Sequence, residues 1–386
     1  MVWKLQENVL LAADIETLTS FIRTTSRFTQ FTKVREFEDA FARWQGSPHC
    51  VLVNSGSSAN LLLVHALKQK LGWKDSDEVI VPAVTWPTTI TPIIQAGLKP
   101  VFSDVNLTDL SFDYERLKGL LTARTRAVFA VHLLGFPADI PRIQATLGGS
   151  VAILEDCCES QGAFCHGVRV GNMGIGSTFS FYWGHQMTTV EGGMLCTGDE
   201  ELFKLLVLKR SHGLARELPV QYHDDLRRRH PGIDFNFLFL TDGFNVRNTE
   251  FNAVLGLSQL AKVAEYIAIR NRNYGRFVEM CRRFEDELIV VTPEGHSAFA
   301  LPFIFRREGR LESFVRVLMD EGIECRPLVG GNLLRQPFLR GYADPAAFPN
   351  SEHLHTHACY VGNNQFVDET RLAVLDDLMK RFFSRK

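Results

Sequence analysis

The chain has 386 residues and a mass of 43.6 kDa, 45% of its residues are hydrophobic, and its formal net charge is −2. This size is sufficient for one large hydrophobic core and a smaller one, while the charge balance argues against nucleic acid as a partner and still allows a phosphate-bearing small molecule. The first residues lack a basic stretch followed by an apolar run, and no segment approaches about 18 uninterrupted apolar residues, so we predict a cytoplasmic protein without membrane association.

Apolar, β-branched runs alternate with helical stretches through the first two thirds of the chain. A helix is predicted from Ser57, directly after the first of these runs. The predicted strands are residues 50–53, 78–82, 100–104, 125–131 and 151–156. This alternation predicts an α/β protein with a large, mostly parallel sheet covered by helices on both faces.

The pattern changes after residue 248. A plausible N-cap region at residues 248–250 precedes apolar residues at helical spacing, which predicts one long connector helix that continues past Val263. Residues 297–305 and 322–326 supply strands of a smaller C-terminal α/β domain. We therefore predict two domains, residues 1–248 and 249–386, and an exposed loop over residues 219–237.

The eight cysteines, at positions 50, 157, 158, 165, 196, 281, 325 and 359, form no C-x-x-C pair. Adjacent cysteines such as Cys157 and Cys158 have poor geometry for an ordinary disulfide. Buried, reduced thiols are the expected state. The spacing shows no ligand cluster for an iron–sulfur centre, and we predict no metal.

Three features follow predicted strands and suggest a ligand site. The small residues of segment 54–60 allow backbone N–H groups to approach a phosphate at a helix N-terminus, although such turns are often purely structural. Asp156 ends an apolar strand, where ligands meet open α/β sheets, although Glu155 and Asp156 could instead cap a helix or form an ion pair. Trp86 follows the second strand and, taken alone, could be an ordinary packing residue.

Segment 177–193 reads STFSFYWGHQMTTVEGG. It resembles the S-F-x-x-x-K-x-(L/M)-T-T-x-E-G-G motif of the DegT/DnrJ/EryC1/StrS family of sugar aminotransferases, with His185 in the place of the lysine. No lysine occurs between Gly119 and Phe203, so a shifted alignment does not supply one. A lysine amine attaches covalently to the aldehyde of pyridoxal 5′-phosphate (PLP), whereas an imidazole does not do so stably but does transfer protons.

The resemblance spans nearly the whole chain and implies the type I aspartate aminotransferase fold, a homodimer, and PLP or pyridoxamine 5′-phosphate (PMP) as cofactor. It assigns His185 to proton transfer, and it places Glu159 where the family usually has a glutamine near the phenolic oxygen of the cofactor. The other cofactor-binding residues that it implies are Gly56, Ser57 and Ser180 at the phosphate, Trp86 on the ring, Asp156 at the pyridine nitrogen, and Asn245 reaching the phosphate of the neighbouring subunit.

Loss of the lysine within an otherwise intact motif implies a dehydratase. The expected reaction removes the C3 hydroxyl of a nucleotide-linked 4-keto-6-deoxy sugar, with GDP-4-keto-6-deoxy-D-mannose favoured and L-glutamate as amino donor. His185 would act as base and then as acid, at an unperturbed pKa of about 6.5. The alternatives are an aminotransferase with an altered lysine and a noncatalytic nucleotide-sugar-binding homologue. A serine hydrolase has no support, because no G-x-S-x-G occurs.

Overall fold

The structure is a computed structural model and describes residues 2–149 and 151–384. Its helices are α1 (Ala12–Thr24), α2 (Thr32–Gln45), α3 (Gly56–Leu71), α4 (Pro87–Gln95), α5 (Tyr114–Leu117), α6 (Ile140–Leu147), α7 (Glu200–Arg210), α8 (His223–Arg229), α9 (Glu250–Leu260), α10 (Val263–Arg282), α11 (Arg310–Asp320), α12 (Pro349–His357) and α13 (Glu369–Phe383). Its strands are β1 (His49–Val53), β2 (Glu78–Pro82), β3 (Lys99–Ser103), β4 (Thr125–Val131), β5 (Ala152–Asp156), β6 (Phe164–Cys165), β7 (Val168–Arg169), β8 (Gly176–Ser180), β9 (Gly193–Thr197), β10 (Ala300–Ile304), β11 (Cys325–Pro327) and β12 (Ala358–Gly362).

The large sheet has seven strands in the order β1-β9-β8-β5-β4-β2-β3. Strands β3, β2, β4, β5 and β8 run parallel, whereas β9 is antiparallel to both β8 and β1. The predicted mostly parallel α/β sheet is therefore confirmed. Strands β8 (GSTFS) and β9 (GMLCT) were not predicted, because neither contains the run of apolar, β-branched residues that marks the predicted strands.

A second, three-stranded antiparallel sheet has the order β10-β12-β11. Strands β10 and β11 fall in or beside the predicted segments, whereas β12 was not predicted. The buried Trp3 side chain donates through Nε1 to the carbonyl of Gly362 at 3.0 Å, which fixes the N-terminal segment against this sheet. The predicted domain division at residue 248 stays a prediction.

The predicted long connector is two helices, α9 and α10, separated at residues 261–262. Thr249 caps α9 by accepting a hydrogen bond from the backbone N–H of Asn252, as the N-cap prediction required. The prediction of one continuous helix across residue 262 was wrong. The break was missed because neither glycine nor proline marks it in the sequence. Segment 219–237 is largely exposed but contains helix α8, whose arginines pair with Asp224 and Asp225 one turn earlier.

The carboxyl ends of the parallel strands meet at one edge of the large sheet. Strand β9 brings the turn after β1 to the same edge, because Gly193 is paired with Val53 on one side and with Ser180 on the other. Within the described ranges, no helix combines the length and apolar character needed to cross a membrane. All eight cysteines are free thiols; six are buried, as predicted, whereas Cys158 and Cys325 are half-buried.

Candidate active site

The turn between β1 and α3 lies directly against the end of β8. A Cβ atom added to Gly56 would lie 2.7 Å from the Cβ of Ser180 and 2.9 Å from the Sγ of Cys158, so only glycine permits this approach. Ser55 caps α3 by accepting from the backbone N–H of Ser58 at 3.1 Å. The N-terminus of α3, with Gly56 and Ser57 in its first turn, thus lies beside the Ser180 hydroxyl and is suited to hold an anion.

Asp156 ends β5 as a buried carboxylate with three hydrogen-bond donors. Its Oδ2 atom accepts from Asn60 Nδ2 at 2.9 Å and from Thr89 Oγ1 at 2.8 Å, and its Oδ1 atom accepts from the Cys158 backbone N–H at 3.1 Å. Asn60 is itself oriented by the hydroxyl of Thr178, which donates to its Oδ1 at 2.6 Å. These three donors fix the direction of the carboxylate at the sheet edge.

The adjacent Glu155 has a separate, structural role. Its carboxylate is buried and accepts from the backbone N–H groups of Gly171, Met173 and Gly174, and it lies 3.1 Å from Nε2 of His132. Burial alone would raise the pKa of Glu155, but these hydrogen bonds hold it below the ordinary value. The two carboxylates therefore have separate partners: Glu155 contacts His132 and the 171–174 turn, whereas Asp156 contacts Asn60, Thr89 and Cys158.

Glu159 lies on the segment that follows Asp156. Its Oε2 atom accepts from the backbone N–H of Leu134 at 2.7 Å. Burial, together with the negative charge of Asp156, raises the pKa of Glu159 to about 7 in spite of this hydrogen bond. At neutral pH the side chain therefore alternates between carboxylic acid and carboxylate, a property that the family's usual glutamine lacks.

His185 lies in the loop after β8, with its imidazole ring between two aromatic rings. The ring centroids of Phe299 and Tyr182 lie 5.3 Å and 6.3 Å from that of His185. Within the described residues, its buried Nδ1 atom has no hydrogen-bond partner. Burial and the nearby positive charge of Arg270 lower the pKa of His185 to about 3. The expectation of an unperturbed pKa is therefore wrong, and the imidazole is neutral at neutral pH.

Backbone contacts join the segments that carry these residues. Leu134 donates its N–H to Glu159 and accepts at its carbonyl from the N–H of Phe299 at 2.9 Å. Gln186, next to His185, donates through Nε2 to the carbonyl of Glu159 at 2.6 Å. The structure thus brings Asp156, Glu159 and His185 into one connected region at the sheet edge.

Two predicted residues are exposed, and each lies where a bound group could reach it. The Trp86 side chain is 58% exposed at the N-terminus of α4, so its ring is available for stacking. Asn245 is exposed and, within the chain, its Oδ1 atom accepts from Nε of Arg247 at 3.1 Å. His212, which we take as the next candidate for the base after His185, lies in the turn paired with the Asn245 segment, where its backbone N–H donates to the carbonyl of Phe244.

Sequence reasoning gave no role to Asn60 or Thr89, the two side chains that hold Asp156. A fully buried amide within the apolar face of α3 was the available signal for Asn60, since a buried amide must find partners. Thr89 carried no comparable signal, because a buried threonine in a helix commonly bonds to its own backbone.

Two groups of potential metal ligands occur in the described part of the chain, His132 with Glu155 and Cys157, and Asp139 with Cys165 and His166. In the first, the ring nitrogens of His132 already contact Glu155 and the Ala138 N–H. In the second, Asp139 caps α6, whose positive end disfavours a cation. The absence of a metal stays a prediction.

The fold is that of a family of PLP-dependent enzymes. The model of the DegT/DnrJ/EryC1/StrS aminotransferase family matches residues 11–373, and the chain belongs to this family. The aminotransferase fold implied by the sequence motifs is thereby confirmed.

Similar proteins include one curated relative and several solved structures. The GDP-4-keto-6-deoxy-D-mannose 3-dehydratase of Yersinia pseudotuberculosis is 35% identical over 365 residues, which cover 92% of this chain and 93% of the relative. The E. coli GDP-4-keto-6-deoxy-D-mannose-3-dehydratase with bound hydrated PLP has a TM-score of 0.89 at 32% identity, covering 98% and 99% of the two chains. A GDP-4-keto-6-deoxymannose-3-dehydratase structure with a trapped PLP-glutamate geminal diamine also has a TM-score of 0.89 at 32% identity, covering 98% and 100%.

Proposed function

We propose that this protein is a PLP/PMP-dependent 3-dehydratase that removes the C3 hydroxyl of a nucleotide-linked 4-keto-6-deoxy sugar, with L-glutamate as amino donor. The observation that carries the proposal is His185 in the lysine position of an otherwise intact motif. A neutral imidazole transfers protons but leaves the cofactor without a covalent anchor. The similar proteins are GDP-4-keto-6-deoxy-D-mannose 3-dehydratases, and this activity supports GDP-4-keto-6-deoxy-D-mannose as the substrate.

The side chains present fit the cofactor. The first turn of α3, with Gly56 and Ser57, and the Ser180 hydroxyl would hold its phosphate, because no side chain at position 56 obstructs this space. The Asp156 carboxyl group would contact the pyridine nitrogen, and Trp86 would cover the ring. When bound, the cofactor supplies an amine that condenses with the C4 ketone of the sugar and a ring that accepts the electron pair released by proton removal.

His185 would move the proton in the dehydration. Its neutral imidazole would take the proton from the C4′ carbon of the bound cofactor, and the imidazolium would then give a proton to the departing C3 hydroxyl. Because burial and Arg270 depress its pKa, the imidazolium is a strong acid and returns its proton readily. Acid–base assistance of this kind is worth roughly 10²–10⁴-fold in rate. Glu159, with a pKa of about 7, would exchange a proton with the phenolic oxygen of the cofactor.

The proposal includes a cytoplasmic homodimer in which Asn245 contacts the cofactor phosphate of the partner subunit. The exposed position of Asn245 supports this role, since its one side-chain contact in the described chain is with the nearby Arg247. In a dimer each site would then contain residues of both subunits.

Product identity tests the proposed reaction. The protein would be incubated with PLP, L-glutamate and a panel of nucleotide 4-keto-6-deoxy sugars that includes the GDP-mannose derivative, and the products analysed by mass spectrometry. We expect a 4-keto sugar that has lost its C3 oxygen, with ammonia released. An amino sugar in its place would establish the aminotransferase alternative, and binding without conversion would establish the noncatalytic one.

A further inference from the structure

The guanidinium of Arg270 on helix α10 is buried and contacts three backbone carbonyls from distant parts of the chain. Its Nη2 atom donates to the carbonyl of His185 at 3.1 Å. Its Nη1 atom donates to the carbonyls of Phe299 at 3.2 Å and Asn363 at 2.5 Å. The loop that carries the imidazole is thereby joined to the segment before β10 and to the segment after β12.

No carboxylate lies within ion-pair distance of Arg270 in the described residues. The dipoles of the three carbonyls are therefore what offsets the cost of burying its charge. Burial lowers the pKa of Arg270 to about 9, which leaves the guanidinium charged at neutral pH. A buried charge without an ionic partner costs desolvation free energy that an apolar side chain of similar volume avoids. Stability alone therefore does not account for an arginine at this position.

The contacts of Arg270 converge on His185 from two directions. One donor holds the main chain of His185 directly. Another holds the carbonyl of Phe299, whose ring lies against the imidazole with 5.3 Å between the centroids. Asn363 returns a hydrogen bond from its Nδ2 to the Arg270 carbonyl at 3.0 Å, which locks the arginine in place. Both the backbone of His185 and one wall of its ring thus depend on a single guanidinium.

We propose that Arg270 is a positioning residue for His185, which holds the loop and the Phe299 wall so that the imidazole keeps its orientation toward the reacting carbon. This inference rests on the proposed acid–base role of His185. Within the described residues, Arg270 also supplies the positive charge that acts on the imidazole, whereas the rings of Tyr182 and Phe299 lie with their centroids 6.3 Å and 5.3 Å from it. Its charge acts with burial to keep the imidazole unprotonated.

Two substitutions separate the contacts of Arg270 from its charge. Arg270→Gln keeps an amide donor and removes the charge, whereas Arg270→Lys keeps the charge and loses the fork that reaches several carbonyls. The imidazole is followed by NMR in cofactor-free protein labelled at histidine Cε1, with His185→Asn identifying the signal. We expect the His185 titration to move up in Arg270→Gln, because the nearby positive charge is removed, and to stay near the wild-type position in Arg270→Lys.

Single-turnover dehydration provides the second readout. We expect both Arg270 variants to lose about tenfold or more in rate at saturating sugar, because a misplaced base reacts slowly whatever its protonation state. The matched control is Tyr274→Phe, which removes a buried hydrogen bond from the same helix to the carbonyl of Val291 without touching His185. It should keep the wild-type titration and rate.

Wild-type titration and wild-type rate in folded Arg270 variants would overturn the positioning role. If Arg270→Gln fails to fold, the rate in Arg270→Lys decides, because the proposal requires it to fall. A different result would refute the proposed function itself: dehydration would then be undiminished in His185→Asn.

Discussion

Asn60 donates its side-chain N–H to Oδ2 of Asp156 at 2.9 Å, and this amide fixes the direction of the carboxylate. We expect Asn60→Ala to weaken PLP binding and to cost roughly 1–3 kcal/mol of unfolding free energy, since a buried acceptor loses its donor. Fluorescence titration with PLP and urea unfolding would measure the two effects. Asn172→Ala is the control, because it loses an amide hydrogen bond to Gln45 outside the site. Equal PLP affinity in both variants would contradict the role of Asn60.

Glu159 should make stability depend on pH. Burial and Asp156 raise its folded-state pKa to about 7, above the unfolded value of about 4.3. Between these two pKa values the folded protein binds more protons than the unfolded protein. The contribution of Glu159 to the free energy of unfolding is therefore full below about pH 4 and is lost as pH rises through about 7. Glu159→Gln has no titrating carboxyl group and does not lose stability in this way. We therefore expect its free energy of unfolding, relative to that of wild type, to be greater at about pH 8 than at about pH 5. The same difference at both pH values in urea unfolding would show that Glu159 has an ordinary pKa.

The cofactor should be held without a covalent bond. The loop position that the family gives to lysine holds His185, so borohydride reduction of the PLP-loaded protein should leave the polypeptide mass unchanged. His185→Lys provides the positive control, and we expect reduction to attach a pyridoxyl group to it. A pyridoxyl-lysine in reduced wild-type protein would refute the prediction.

Asn245 is expected to act across the dimer. Asn245→Ala should weaken PLP retention by about 1.5–3 kcal/mol, because a hydrogen bond to a charged phosphate is lost. Mixing Asn245→Ala with His185→Asn gives a sharper test. If Asn245 acts in the partner's site, each mixed dimer contains one site in which both residues are wild type.

Activity should therefore reappear in the mixture although both parent variants are impaired. Absence of recovery in mixed dimers confirmed by mass spectrometry would place Asn245 in the site of its own subunit.

The elements that the sequence predicted well are those whose signal is local. Strands β2 and β4 are continuous apolar runs, and the turn at Gly56 combines small residues with a helix start. Strand β8 was missed because its sequence, GSTFS, has one large apolar residue. Its burial comes from pairing with β5 and β9 and from packing against helix α3, which is distant in the chain. Burial imposed by neighbours outweighs local propensity here.

The residues of the candidate site could be selected from motifs, but their electrostatics could not. The pKa of His185 depends on burial and on Arg270, which lies 85 residues away in sequence. Similarly, the raised pKa of Glu159 requires burial beside Asp156. Thr89, which donates a hydrogen bond to Asp156, belongs to no recognisable motif. Its role arises only when helix α4 packs against strand β5.

The central claim is that His185 moves the protons of the dehydration. The most direct measurement is single-turnover conversion of GDP-4-keto-6-deoxy-D-mannose by PMP-loaded wild type and His185→Asn, with the 3-deoxy product quantified by mass spectrometry. Asparagine keeps a polar side chain without a titratable base, so we expect PMP binding to persist and product formation to fall by roughly 10²–10⁴-fold. Near-wild-type product formation in His185→Asn would contradict the account and direct attention to another base, with His212 as the next candidate.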